Sequence, residues 1–321
     1  MDTDLYKITQ GQMVFNQFPE AVVEYEFVNR GKTRFPVSVV DAFEREINEM
    51  ASLAMTDAEF SYLKGIRFLK PTFLEWFRHY RFDPSEVVVD RRNEGDGFVD
   101  LNFRVVGPWY RAIYWEVPLM AALSELFFRG RPMAEDWDER IDRKRNRLVS
   151  EGVSWIDFGT RRRASLGVQN EVVARMKTAP SGMFRGTSNI LLAMIHGVKA
   201  QGTIAHESHQ AMQAKYGVAM SNQMTLEHWC REYGGDLGVM LPDTLTTKFF
   251  MKRLSRRDAK LYDGALVFCI MPPHRRKTWH QDQSRLAARS GRNRRSTSES
   301  ATRSRSGWRP RGSRAPPSTS P

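Results

Sequence analysis

Three consecutive arginines follow an aromatic residue and a glycine in the segment 157–163, DFGTRRR. A guanidinium group binds a phosphate or a carboxylate through two parallel hydrogen bonds. Phe158 offers a flat face on which an aromatic ring can stack. The segment therefore predicts a substrate that is both aromatic and anionic. The alternative interpretation is a solvated basic helix start, where positive charge opposes the helix dipole.

Two histidines stand close together in the segment 206–209, HESH. Their spacing is three residues, whereas the zinc pattern H-E-x-x-H places its histidines four residues apart. No third ligand is evident nearby, so the segment does not predict a zinc site. Taken without its context, His206 is most simply interpreted as a structural histidine with its hydrogen bonds satisfied.

The elements that must position these residues change in character near residue 153. Before it, the apolar pattern predicts strands at 22–28, 98–105 and 110–117, and helices at 39–53, 57–64, 120–128 and 136–151. After it, short apolar strands at 155–158, 202–205 and 237–241 alternate with helices at 163–177, 207–216 and 224–233. This alternation is typical of a parallel sheet or barrel, in which functional residues lie where strands end and helices begin.

The charge of the chain is unevenly distributed. The net charge is +12, but residues 272–321 hold 13 Lys and Arg against 2 Asp and Glu. The rest is close to neutral, so a nucleic-acid partner is not expected. The Arg-, Ser- and Pro-rich composition of 272–321 predicts a disordered tail. The sequence has two cysteines, no apolar run long enough to span a membrane and no signal peptide. We therefore expect a cytoplasmic protein without a membrane partner.

Seven short motifs occur in an order that resembles the nicotinate phosphoribosyltransferase family over residues 1–264. They are the segments 3–7, 26–30, 115–118, 157–163, 186–189, 202–207 and 241–244. The resemblance implies an α/β fold with an N-terminal α+β domain, 1–130, and an incomplete type II phosphoribosyltransferase α/β barrel, 131–271. It also implies the formation of nicotinate mononucleotide from nicotinate and phosphoribosyl pyrophosphate in NAD salvage, with ATP hydrolysis, Mg²⁺ and a homodimer.

The resemblance also implies roles for individual residues. Phe158 and Tyr6 are expected to sandwich the pyridine ring, with Tyr6 supplied by a second subunit. Arg161 is expected to pair with substrate anions, and Thr203 to position nicotinate. His206 is expected to be the catalytic residue and to become a phosphohistidine, because imidazole is nucleophilic near neutral pH.

Ser188 bears on the choice between nicotinate and nicotinamide. The similar nicotinamide-using family has an acidic residue at this place in its Gly-Thr-Asp motif. A carboxylate accepts a hydrogen bond from an amide but repels a carboxylate, whereas a hydroxyl can donate to one. We therefore expect Ser188 to contact nicotinate and to favour the acid as substrate.

The resemblance stops after the segment 262–264. The family continues with an Arg-x-Asp-Ser-Gly-Asp motif and a Gly-rich phosphate loop, and the chain has neither. A change of reading frame or a wrong exon join would explain the change in composition. A barrel without its last strands exposes edges and apolar faces. This predicts low stability and little activity, and the alternative function is an inactive remnant whose basic tail contacts RNA nonspecifically.

Overall fold

A computed structural model describes residues 1–29 and 31–265, except the side chains of 93 and 94. The predicted tail, 272–321, lies outside these residues. The described helices are α1 (Leu5–Gln17), α2 (Val37–Glu49), α3 (Asp57–Lys64), α4 (Pro71–Arg78), α5 (Trp109–Ala112), α6 (Glu116–Phe128), α7 (Trp137–Ser150), α8 (Leu166–Lys177), α9 (Ile190–His196), α10 (His206–Tyr216), α11 (Ser221–Tyr233), α12 (Thr247–Arg253) and α13 (Arg256–Leu261). The described strands are β1 (Val22–Glu26), β2 (Phe35–Pro36), β3 (Val87–Gly95), β4 (Phe98–Pro108), β5 (Trp155–Asp157), β6 (Phe184–Thr187), β7 (Val239–Met240) and β8 (Gly264–Ala265).

The first half contains a four-stranded antiparallel sheet in which β4 pairs with β1, β2 and β3. Apolar side chains alternate along β4, and Val99, Leu101, Phe103 and Val105 are all buried. They pack in one apolar cluster with residues of α2 and α6. The alternation that predicts a strand at 98–105 is therefore the inward face of this sheet.

The predicted strand at 110–117 is wrong. The chain leaves the sheet after Pro108, forms the short helix α5, and enters α6 at Glu116. Trp109, Ala112 and Trp115 are buried. The continuous apolar run 112–115 carries no period of two, and such a run is compatible with a buried helix as well as with a strand.

The second half confirms the α/β character expected from the sequence. β5 pairs with β6 in parallel, and β7 pairs with β8 in parallel. A parallel bridge from Thr187 to Ala200 follows the first pair. Residues 202–205, which the sequence analysis expected to be a strand, form an irregular segment that leads into α10.

Helix α1 is buried on nearly all sides, and 10 of its 13 residues are buried. Its apolar side chains belong to a cluster that includes Phe73, Trp229 and Phe250. The cluster contains residues from both sides of residue 130, where the sequence predicts a domain boundary. That boundary stays a prediction. Within the described residues, no helix is both long and apolar enough to cross a membrane.

Candidate functional site

The loop after β5 is anchored by Asp157. One carboxylate oxygen of Asp157 accepts a hydrogen bond from the Gly159 backbone at 3.1 Å. The other accepts from Gln169 at 2.9 Å and from Thr187 at 2.7 Å. These bonds join the end of β5 to α8 and to the end of β6. The loop that carries Phe158 and Arg161 is therefore held at the carboxyl edge of the two strands, as the sequence analysis expected.

The three arginines of this loop have three different environments. Arg163 is buried and forms an ion pair with Asp2. Arg162 is exposed. Arg161 is 41% exposed, pairs with Glu116, and lies with its guanidinium carbon 5.7 Å from the ring centre of Tyr6. Of the three cations, Arg161 is therefore the one that faces an aromatic ring while remaining accessible.

Tyr6 belongs to the first turn of α1 and is almost fully buried. The ring that approaches Arg161 comes from the same chain. Whether the Tyr6 ring of a second subunit also reaches the site, as the resemblance implies, stays a prediction. Phe158 is half-buried, and within the described residues no ring contact joins it to Tyr6. The two rings do not stack on each other, so the predicted sandwich of a ligand between them stays a prediction.

Ser188 does not have the orientation expected from the sequence. Its side chain is fully buried, and its hydroxyl donates a hydrogen bond to Asp4 at 2.7 Å. A hydroxyl has a single proton to donate, so this donor is not directed at a substrate carboxylate. Thr160 donates to the same oxygen of Asp4 at 2.7 Å. Burial raises the pKa of Asp4 despite these two hydrogen bonds. Ser188 is thus a structural partner of α1.

The segment 202–207 packs against the start of α1. A Cβ atom added to Gly202 would lie 3.3 Å from the Tyr6 backbone nitrogen, so the absence of a side chain permits this close approach. Thr203 follows, half-buried, with its hydroxyl 3.1 Å from the Ile204 carbonyl oxygen, to which it donates. Thr203 and Tyr6 thus belong to neighbouring segments.

His206 is the first residue of α10, and its side chain is 45% exposed. Its Nε2 atom lies 3.1 Å from a carboxylate oxygen of Asp243. Asp243 belongs to the segment 241–244, one of the seven motifs, for which sequence reasoning gave no residue role. A carboxylate that bonds one ring nitrogen orients a histidine and selects its tautomer.

A buried ion network was missed by sequence reasoning. Lys7 is fully buried and pairs with Glu116 at 2.5 Å and with Glu207. Glu207 also accepts hydrogen bonds from Tyr25 and, at 2.7 Å, from the indole of Trp109. Lys7, Glu116 and Glu207 each lie within one of the seven motifs. Membership of a motif was the only sequence feature that could have indicated a functional role for them.

The pKa values of this network follow from its contacts. Burial works against charge on Glu116, but Lys7 and Arg161 outweigh it and lower the pKa of Glu116 to about 2. For Lys7, burial is likewise outweighed by the two glutamates, and its pKa is raised. Lys7 and Glu116 therefore stay charged at neutral pH, although both are largely removed from water.

The described residues also bear on metal ions and cavities. Among residues 1–29 and 31–265, no group of three or more His, Cys, Asp and Glu side chains could hold a metal ion. His209 is buried, and burial lowers its pKa to about 4. A cavity of about 530 Å³ opens between the N-terminal segment, α2, α4 and α6, but none of the six predicted site residues lines it. It is therefore separate from the cluster around Arg161.

Comparison with known proteins gives one family over most of the chain. Residues 1–124 match the nicotinate phosphoribosyltransferase N-terminal domain, and residues 153–265 match the nicotinate phosphoribosyltransferase family. The nicotinate phosphoribosyltransferase of Chromohalobacter salexigens is 39% identical over 269 residues, which are 82% of this chain and 68% of that protein. That of Desulforapulum autotrophicum is 36% identical over the same shares.

Solved structures agree with this result. The crystal structure of nicotinate phosphoribosyltransferase from Porphyromonas gingivalis matches with a TM-score of 0.76 and 36% identity, over 82% of this chain and 68% of that one. The enzyme from Vibrio cholerae matches with a TM-score of 0.77 and 30% identity, over 90% and 70% of the two chains. Fold and sequence comparisons thus identify the same family.

Proposed function

The chain belongs to the nicotinate phosphoribosyltransferase family, and on that premise we propose that it transfers the phosphoribosyl group of phosphoribosyl pyrophosphate to nicotinate. In this reaction the pyridine nitrogen forms a bond to the anomeric carbon of ribose, and the bond from that carbon to pyrophosphate breaks. The observation that carries the proposal is the position of Arg161, half-exposed and 5.7 Å from the Tyr6 ring. A cation beside an aromatic ring suits an aromatic carboxylate.

Nicotinate is proposed to bind where the loop after β5 meets the start of α1. Arg161 keeps donors that Glu116 does not occupy, and these bind the substrate carboxylate or a phosphate. The rings of Tyr6 and Phe158 supply flat apolar contact, and Thr203 lies in the neighbouring segment. Ser188 has no part in this proposal, because its hydroxyl donates its hydrogen bond to Asp4.

His206 is proposed to carry a phosphoryl group from ATP. A carboxylate accepts but does not donate hydrogen bonds, so the contact with Asp243 places the proton on Nε2 and the lone pair on Nδ1. The lone pair on Nδ1 attacks the γ-phosphorus of ATP. A nitrogen–phosphorus bond forms, the bond between the β- and γ-phosphates breaks, and ADP leaves. Water later hydrolyses the phosphohistidine.

The family resemblance also implies Mg²⁺ and a homodimer, and neither is assigned a step here. Mg²⁺ is expected to accompany the phosphates, but the described residues form no cluster that fits a metal ion, so no step is assigned to it. The predicted homodimer stays a prediction. Within one chain, the Tyr6 ring already lies beside Arg161.

The proposal is tested with the full chain, nicotinate, phosphoribosyl pyrophosphate, ATP and MgCl₂. We expect nicotinate mononucleotide as product, at the low rate that the sequence predicts, and a ³²P label from γ-labelled ATP on His206. H206N should lose the label and the stimulation by ATP, because no other imidazole takes its place. H79N, which changes an exposed histidine at the end of α4, is the matched control and should behave as wild type.

A folded wild-type chain that forms no nicotinate mononucleotide and takes up no label contradicts the proposal. That result supports the alternative raised by the sequence, an inactive relative of the family. Label that persists in H206N contradicts the role of His206 alone.

A further inference from the structure

Lys7 is the most completely buried cation of the site, with a side chain that is 0% exposed. Its ammonium group lies between two carboxylates, Glu116 at 2.5 Å and Glu207. A buried charge is costly unless it is paired and hydrogen-bonded, and this one is paired twice. The two ion pairs hold α1 in place, and each carboxylate also contacts or adjoins a residue with a proposed function.

The two carboxylates connect Lys7 to opposite parts of the proposed site. Glu116 also pairs with Arg161, the proposed anion-binding residue. Glu207 stands next to His206 in the first turn of α10 and is held in addition by Tyr25 and Trp109. Arg161, Glu116, Lys7 and Glu207 thus form a row of alternating charge.

The charges of this row balance only while Lys7 is present. Two cations and two carboxylates sum to zero, and without Lys7 the sum is one negative charge. Lys7 and Arg161 both lie within 6 Å of the Tyr6 ring centre, at 5.6 and 5.7 Å. At such distances in a poorly solvated site, one unit of charge changes the affinity for an anion considerably.

We propose that Lys7 is a positioning residue that keeps the site receptive to anionic substrates. It supplies the second positive charge that Glu116 and Glu207 require, so that Arg161 attracts the substrate anion without opposition from an uncompensated carboxylate. Through Glu207 it also holds the first turn of α10, which carries His206. This inference rests on the proposed function and assigns the control of anion affinity within it to a residue that does not touch the substrate.

The test compares K7M with the double variant K7M/E207Q. K7M leaves the site one unit more negative, and we expect its KM for nicotinate to rise about tenfold or more. K7M/E207Q returns the sum of charges to zero while the ion pairs remain broken. Its KM should therefore return most of the way to the wild-type value, whereas kcat stays low because the ion pair that helps to hold the first turn of α10 is lost. K144M, at an exposed lysine of α7, is the control and should keep wild-type values.

E207Q alone keeps the inference falsifiable if K7M does not fold. This variant makes the site one unit more positive, so KM for nicotinate should fall while kcat also falls. A rise in the KM of E207Q, a KM of K7M within about twofold of wild type, or a double variant no better than K7M would each overturn the inference.

Calorimetric binding of nicotinate separates the two proposals. A wild-type chain that neither binds nor converts nicotinate contradicts the proposed function. A wild-type chain that binds nicotinate, beside a folded K7M variant that binds it equally well, contradicts the role of Lys7 and leaves the proposed function intact.

Discussion

Residues of the same type in one segment perform different tasks when their neighbours differ. Arg163 is enclosed with Asp2, Arg162 faces solvent, and Arg161 shares its guanidinium between Glu116 and the proposed substrate. The sequence predicts that three cations follow Phe158. The pattern itself does not distinguish them, and only the family resemblance singles out Arg161, because their environments depend on acidic partners about 45 and 160 residues away.

Ser188 allows a test at the level of a single hydroxyl. S188A removes one of two side-chain donors to the buried carboxylate of Asp4, so it should lower the free energy of unfolding by about 1–3 kcal/mol. The preference for nicotinate over nicotinamide should stay unchanged. Urea denaturation and the ratio of kcat/KM for the two substrates are the measurements.

The matched control for S188A is S85A. Ser85 donates to Asp83 at the same 2.7 Å, but on the surface, so its loss should change stability by less than about 0.5 kcal/mol. A tenfold shift of the selectivity of S188A towards nicotinamide would instead support the substrate contact that the sequence predicts for Ser188.

Elements with a local signal agree with the sequence better than elements defined by packing. Helix α3 covers 57–64 as predicted, because Thr56 and Glu59 form a reciprocal capping box at its start. Asn189 caps α9 by accepting from the Leu192 backbone at 3.0 Å. The predicted strand at 110–117 is wrong, because four consecutive buried residues, 112–115, lack the periodicity that distinguishes a strand from a helix.

Strand β6 has no room for a side chain at Gly186. Its φ of +121° is strained for other residues, and an added Cβ would lie 1.9 Å from the Lys199 carbonyl oxygen. G186A should therefore cost about 3 kcal/mol or more, since backbone strain and a backbone clash add. Guanidinium denaturation is the measurement.

G197A is the control for G186A. Gly197 also has a positive φ, +60°, but an added Cβ there meets nothing within 4 Å. Its substitution should cost only about 1 kcal/mol, which is the backbone contribution alone. Equal losses in the two variants would mean that the close approach to Lys199 is unimportant.

At the scale of the whole molecule, the buried charges should make stability depend on pH. The pKa of Glu116 is about 2 in the folded chain, against an ordinary value of 4.5. A lowered folded pKa contributes stability above pH 4.5, and that contribution is lost as the pH falls through 2. E116Q should therefore be less stable than wild type by on the order of 3 kcal/mol at pH 7.

The difference between wild type and E116Q should shrink steadily from pH 4.5 towards pH 2. Urea unfolding at pH 7, 4 and 3 measures it, with E20Q, at an exposed glutamate, as the control that should follow wild type throughout. A difference that does not depend on pH would mean that Glu116 stabilises the fold by packing rather than by its charge.

The sequence alone determined the family and the α/β order of the second half. It also identified the segments 157–163, 186–189 and 202–207 as motifs, and the structure then showed that they pack around the start of α1. Motifs and helix starts are properties of neighbouring residues, so they can be read along the chain. The tertiary structure decided that Ser188 faces Asp4, that Tyr6 reaches Arg161 within one chain, and that Lys7 joins Glu116 to Glu207. Lys7 and Glu207 are 200 residues apart, and only the burial of α1 between distant elements brings such charges together.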